Sequence, residues 1–288
     1  MAEPSLSTSR TSAMLIDTHA HLDFPDFAPD LKEVLARASA AGVDRIITIG
    51  TSVESSRRAV ELAKASHRGD LSIPDAPPLP RIFAAVGVHP NSAGQADRHF
   101  IEELRDLAKN PEVVAIGEIG GDCHRPPADE REAAETRAVQ AEVFRLQLDL
   151  AVEQGLNAVV HERDAWTETL AILSPYQGRL RTVFHCFGKD IEHARELLGQ
   201  NHLVSFTGIV TFKNAATVQE TARLLPEGQF FLETDCPFLA PVPRRGKRCE
   251  PADTRLVAEH IAALRHTSLE AIASQTNTQA EKFFRFPG

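Results

Sequence analysis

Short apolar runs alternate with amphipathic stretches from one end of the chain to the other, and no other feature limits the fold as strongly. The runs that read as strands are Met14–Asp17, Arg45–Ile49, Ile82–Val88, Val113–Glu118, Asn157–His161, Thr182–His185, Leu203–Phe206 and Phe230–Asp235. They are nearly continuous in β-branched and large apolar residues, the pattern of parallel strands covered on both faces. Helical candidates lie between them, the clearest being Ala128–Gln154, where Val139, Val143, Leu146 and Leu150 recur at three- and four-residue steps. Eight such units in 288 residues predict an α/β chain folded as a TIM-type (β/α)₈ barrel rather than an open sheet. No linker or shift in charge divides the chain, so residues 13–288 form one domain and the polar residues 1–12 are expected as a flexible extension. Two proline-rich segments, 69–80 and 237–251, interrupt the rhythm and read as loops.

Composition narrows the function. The formal net charge is −9, whereas a protein that gathers nucleic acid by general charge carries a basic excess. A phosphate-bearing substrate would need a local basic patch or bound cations. One such patch is visible: Arg244, Arg245, Lys247 and Arg248 crowd the loop after the last strand, where a solvated loop competes with a phosphate-contacting role. The four cysteines, 123, 186, 236 and 249, show no metal-binding spacing and read as free thiols. There is no signal-peptide pattern and no membrane span of about 18 apolar residues, so a cytoplasmic location is expected.

The chemistry lies in where the polar residues fall. Asp17, His89, Glu118, His161, His185 and Asp235 each stand at the C-terminal end of an apolar run, and His19 and His21 follow Asp17 by two and four residues. In a (β/α)₈ barrel those ends converge on the face that carries active sites. A buried carboxylate or imidazole is costly unless it is paired or bound to metal. Residues two apart in an extended segment point the same way, so His19 and His21 can offer nitrogens to one ion. Imidazoles mixed with carboxylates suit Zn²⁺, Mn²⁺ or Fe²⁺, and the ligand types alone do not choose among them. His89 fits a substrate-contacting or hydrogen-bonded structural role. His124, six residues past Glu118, is a further candidate at the mouth. His67, His99, His193, His202, His260 and His266 read as ordinary surface residues, and Cys186 and Cys236 as packing residues turned away from the site.

Taken together, the sequence resembles the TatD-like deoxyribonucleases of the amidohydrolase superfamily. The resemblance runs from about Leu15 to Phe284. It rests on Asp17-Thr18-His19-Ala20-His21-Leu22-Asp23, Gly87-Val88-His89-Pro90, Gly117-Glu118-Ile119-Gly120 with Asp122, and His161-Glu162-Arg163-Asp164-Ala165. His185-Cys186-Phe187, Phe206–Lys213 and Glu233-Thr234-Asp235-Cys236-Pro237-Phe238-Leu239-Ala240-Pro241 complete it. It implies two divalent metal ions, Mg²⁺ in most such proteins. His19, His21, Glu118 and Asp235 would hold one, and Glu118, His161 and His185 the other. It also implies hydrolysis of DNA phosphodiesters by a metal-activated water, often exonucleolytic, with Glu118 and Asp235 as the catalytic carboxylates. His89, Arg244, Arg245 and Arg248 are the expected substrate contacts, DNA the expected partner, and a monomer is compatible with everything read. Departures from the family pattern fall at Cys249, Gly188-Lys189, Gly121 and Gln279, and none removes an expected ligand. Two competing functions stand beside this one: a superfamily hydrolase of a small-molecule C–N, ester or lactone bond, and a metal-bearing binding module without catalysis.

Overall fold

The computed structural model describes residues 13–287, so the extension expected over 1–12 lies outside the described residues. The strands are β1 (Leu15–Ala20), β2 (Val43–Ile49), β3 (Arg81–Val86), β4 (Val113–Asp122), β5 (Asn157–Arg163), β6 (Thr182–Phe184), β7 (Leu203–Phe206) and β8 (Phe230–Leu232). The helices are α1 (Leu31–Ala40), α2 (Val53–Arg68), α3 (Phe100–Ala108), α4 (Glu130–Gln154), α5 (Trp166–Leu173), α6 (Ile191–Gly199), α7 (Ala216–Leu224), α8 (Thr254–Leu264) and α9 (Leu269–Phe284). Each strand pairs in parallel with the next, β1 through β8. A parallel bridge between Ala20 and Cys236 brings the last connection back to the first strand, completing a nearly closed (β/α)₈ barrel. Among the described residues no helix is long and apolar enough to cross a membrane.

Two-residue alternation along the strands sorts the apolar side chains into two sets. Ile46, Ile82, Ala84, Ile116, Val160, Phe184, Val204 and Phe230 join the cluster that includes the helices. Ile47, Ile49, Phe83, Val114, Val159, Val183, Leu203 and Phe231 form a second cluster, the packed interior expected of such a barrel. α9 adds Phe283 and Phe284, each ring 5.4 Å from that of Phe231. Asn157, the first residue of β5, donates to the Phe283 carbonyl, so α9 closes the lumen where the strands begin. The opposite end is left for chemistry.

Several expectations change in detail. On α4, Val139 and Leu146 are each 38% exposed, while Gln140, Val143, Phe144, Gln147, Leu148, Leu150 and Ala151 are buried. The two glutamines explain the rotation. Gln147 accepts from the Val88 amide and donates to the Val88 carbonyl, and Gln140 does the same for Asp122. These amides satisfy backbone groups where β3 and β4 run out, which an apolar count cannot anticipate. His202 is buried rather than on the surface, because its Nδ1 accepts from the Thr182 amide. β4 and β5 run past Glu118 and His161, and Gly120 (φ +142°) permits this: a Cβ there would lie 2.0 Å from the His161 carbonyl oxygen. β8 stops at Leu232, so Glu233 and Asp235 sit on irregular backbone, pinned by Glu233 N–H to the Phe206 carbonyl and Asp235 N–H to the His19 carbonyl.

Candidate metal centre

All six expected ligands meet at the C-terminal mouth of the barrel, and their order in space is specific. The Nε2 atoms of His19 and His21 lie 3.3 Å apart, and both face Oδ1 of Asp235, at 3.6 and 3.3 Å. Oε2 of Glu118 joins this group at 3.5 Å from His19 and 3.9 Å from His21. The other Glu118 oxygen, Oε1, faces a different set: His185 Nε2 at 2.6 Å and His161 Nδ1 at 2.8 Å, themselves 3.1 Å apart. Donors around an ion bonded at about 2.1 Å stand roughly 3.0–3.4 Å from one another; the first set, at 3.3–3.9 Å, lies at or just beyond that spacing, and the second, at 2.6–3.1 Å, is drawn tighter by hydrogen bonds to Glu118. Glu118, buried at 2% exposure, bridges them.

Ring orientation tests whether these imidazoles suit a metal. A ligating histidine presents a bare nitrogen to the ion and directs its other N–H to an acceptor. His21 directs Nδ1 to the Ile49 carbonyl at 3.2 Å, and His161 directs Nε2 to Asp122 at 3.3 Å. His185 turns Nδ1 toward Glu233 Oε1, although 3.7 Å makes this a charge contact rather than a hydrogen bond. His19 Nδ1 is buried without a hydrogen-bond partner. His21 and His161 therefore have an acceptor behind the ring that frees the opposite nitrogen for an ion, whereas His185 has only the Glu233 charge behind it and turns Nε2 to Glu118. The donor set fits two divalent cations.

His89 is arranged the other way. Its Nδ1 accepts the Asn91 amide hydrogen at 3.0 Å, so the neutral ring carries its proton on Nε2, 3.5 Å from Glu118 Oε1. Burial, with the neighbouring His161 and His185, pulls its pKa down to about 4 despite Glu118, and the ring stays neutral. His89 therefore offers a hydrogen-bond donor to the site rather than a lone pair.

Electrostatics follow from this packing. Burial alone would raise Glu118, but His185, His89 and the His161 hydrogen bond outweigh it and hold the carboxyl well below its usual range. Burial also opposes ionisation of Asp235, and His21 and His19 overcome it. Burial would lower His185, yet Glu118 and Glu233 lift it well above an ordinary histidine. Asp17 is different: burial dominates and drives it up to about 8, although it accepts from the Thr234 hydroxyl and from the amides of Thr234 and His19. It ties β1 to the Asp235 segment rather than joining either donor set.

Two carboxylates behind the ligands, Asp122 and Glu233, have roles that pattern reading did not assign. Glu233 accepts from the Ser205 hydroxyl and the Cys186 amide, both at 2.6 Å. The signal was present: Glu233 lies two residues before Asp235, and Asp122 four after Glu118, the same side of an extended chain. Cys236 is buried as expected, but Cys186 lines the cavity, because β6 ends at Phe184 and Cys186 adopts a positive φ of 48°, outside strand alternation. His124 reaches the rim and bonds Asp164 at 2.8 Å.

Arg244, Arg245, Lys247 and Arg248 do not line the two recesses beside the donor sets. Arg248 makes a two-pronged pair with Asp30 (2.9 and 2.7 Å) and a 3.1 Å contact with Glu250, while Arg244 pairs with Asp253 at 3.2 Å. Arg245 lies over the Phe212 ring at 3.7 Å. The cations that do line the recesses beside the donor sets, of about 470 and 540 Å³, are Arg163 and Lys189.

Buried imidazoles and carboxylates gathered in two coordination sets at the mouth of a (β/α)₈ barrel define a metal-dependent hydrolase. The sequence matches the model of the TatD related DNases over residues 16–285, and the chain belongs to that family. It is 38% identical to an uncharacterized metal-dependent hydrolase, YabD of Bacillus subtilis, over 94% of this chain and 99% of that one. It is 30% identical to the 3'-5' ssDNA/RNA exonuclease TatD of Enterobacter lignolyticus, over 94% and 98%. The crystal structure of YjjV, a TatD homologue from Escherichia coli, superposes with a TM-score of 0.83 at 26% identity, covering 96% of this chain and 99% of that one.

Proposed function

We propose that this hydrolase is a nuclease that cleaves phosphodiester bonds of DNA, working from a strand end, with two divalent ions that are Mg²⁺ by family resemblance or else Mn²⁺ or Zn²⁺. The observation that carries the reading is the division of the Glu118 carboxylate, with Oε2 turned to His19, His21 and Asp235 and Oε1 to His161 and His185. A bridged pair of ions is the arrangement that supports in-line displacement at phosphorus, since it offsets charge on the phosphate oxygens and acidifies water. The exonuclease names of relatives agree with it. Four unpaired cysteines agree with a reducing compartment, and we place the protein in the cytoplasm.

The chain's own groups supply the rest. Asp235 is ionised and commits Oδ1 to the histidine pair, which leaves Oδ2 to orient the attacking water and take its proton. His89 donates from Nε2 to a substrate oxygen. In the basic loop, Arg245 and Lys247 have no ion-pair partner among the described residues and remain available to a backbone phosphate, whereas Arg244 and Arg248 brace the loop. The competing reading, hydrolysis of a small-molecule C–N, ester or lactone bond, is disfavoured by the cations at the mouth and by a glutamate in the bridging place, which many amide-cleaving relatives fill with a carbamylated lysine.

Metal-depleted protein reconstituted with Mg²⁺, Mn²⁺ or Zn²⁺ should degrade single-stranded oligonucleotides and leave a lactone panel untouched. Lactone turnover without oligonucleotide cleavage would overturn the assignment. Asp235→Asn keeps the shape but not the basicity, and it should slow cleavage by about 10²–10⁴-fold in folded protein that still binds metal through His161 and His185. Unchanged turnover in that variant would remove Asp235 from the chemistry.

A further inference from the structure

Phe238 is 51% exposed, and it lines both recesses that meet over the ions. It stands one tight turn beyond Asp235, its amide donating to the Asp235 carbonyl. Its neighbours fix its place: the ring meets Phe24 edge-to-face at 6.1 Å and His21 at 6.4 Å, while Phe24 lies nearly flat on the His21 ligand at 4.8 Å. A half-open phenyl beside a phosphate-cleaving centre loses the hydrophobic gain of burial. It keeps a flat apolar surface where a planar group can rest. On the other side stands Arg163, the last residue of β5. Two positions beyond His161, it leaves the strand on the same face and lines the same two recesses. Unlike Arg244 and Arg248, it meets no carboxylate among the described residues. Lys189, the other cation there, is tethered to Glu162 at 3.4 Å and lies over Trp166.

An unpaired guanidinium and an aromatic platform lining the same recesses suit a nucleotide, which presents an anion at one end and a π-face at the other. We propose that Phe238 and Arg163 hold the terminal nucleotide of a single strand. Phe238 stacks on its base, and Arg163 holds the phosphate one step along the strand from the bond that breaks. This rests on the nuclease reading above. Neither side chain touches the expected metal ligands' donor atoms, so both act on substrate capture and register rather than on the chemical step. Stacking needs an unpaired base, so the pair also disfavours a blunt duplex end.

The test compares wild type, Phe238→Ala, Phe238→Trp, Arg163→Ala and Arg163→Lys in the metal-loaded enzyme. The substrates are a single-stranded oligonucleotide, the same strand ending in an abasic residue, and glycerophosphoethanolamine, a small diester without an aromatic ring. Base–aromatic stacking of about 1–3 kcal/mol corresponds to roughly 5- to 150-fold. Phe238→Ala should raise KM for the oligonucleotide within that range, leave kcat within about twofold, and leave the small diester unchanged. Phe238→Trp should restore capture. On the abasic strand, wild type and Phe238→Ala should behave alike, because the stacking partner is already absent. Arg163→Ala should raise KM on both strands, with partial rescue by Arg163→Lys. Equal losses on oligonucleotide and small diester would show that these residues only support the centre, and no loss on either strand would also overturn the proposal. Wild type that cleaves neither strand would refute the nuclease reading itself, and this proposal with it.

Discussion

Replacing Glu233 by glutamine probes the reasoning about ring orientation most directly. Glu233 is 1% exposed and faces His185 Nδ1 at 3.7 Å, with a ring nitrogen of His19 also within 4.8 Å of its carboxylate. Glutamine matches its volume and can still accept from the Cys186 amide, now at 2.6 Å, so the fold loses little. The Ser205 hydroxyl, which donates to Oε2 at 2.6 Å, must turn and accept from the new amide, an exchange worth about 1 kcal/mol. The negative charge behind His185 disappears, and with it the group that favours a bare Nε2 facing Glu118. Loss of such a partner typically lowers metal affinity about 10- to 100-fold, or roughly 1.4–2.7 kcal/mol. Calorimetric titration of metal-depleted protein should show one of two binding events weakened by that factor and the other weakened less, because Glu233 stands behind His185 and only one residue of the other set, His19, lies near its carboxylate. At saturating metal much of the turnover should return. Identical isotherms for variant and wild type would refute the orientation argument and leave Glu233 as a buried prop for Ser205. Asp122→Asn, behind His161, should weaken the same event.

Two further outcomes are expected. Arg248→Ala removes the two-pronged Asp30 contact and the Glu250 contact that bind the loop after β8 to the start of α1; it should lower the thermal midpoint and slow oligonucleotide and small-diester hydrolysis alike, whereas a loss confined to oligonucleotides would make Arg248 a phosphate contact. His202, whose pKa burial and Arg181 lower from 6.5 to about 4, is protonated more readily in the unfolded chain, so its contribution is complete above 6.5 and is lost as pH falls toward 4. Urea denaturation should register about 2 kcal/mol of this loss between neutrality and about pH 5. His202→Asn, which keeps an acceptor for Thr182, should flatten that slope; a slope unchanged by the substitution would assign the acid limb to other groups.

The barrel and the meeting of the six candidate side chains at its mouth were legible in the sequence for one physical reason. Strand alternation and parallel pairing are local rules, and a barrel sends every strand's C-terminal end to the same face, so Glu118, His161 and His185 at the ends of apolar runs had to meet. What pattern could not supply was anything set by contacts between distant segments. Gln140 and Gln147 turn α4 away from the face its valines and leucines suggested, because they satisfy backbone groups on β3 and β4. The arginines of the 244–248 loop looked free in sequence, but Arg248 meets Asp30, 218 positions away, and the loop becomes a brace. His89 and His161 are the same residue type, one just beyond β3 and the other near the end of β5, with β4 between them. Only their hydrogen bonds, an amide donating to one ring and Asp122 accepting from the other, distinguish the nitrogen each turns to Glu118, Nε2 of His89 and Nδ1 of His161. Strand periodicity places a side chain at the mouth of the barrel; the tertiary neighbours behind it determine which atom it presents there.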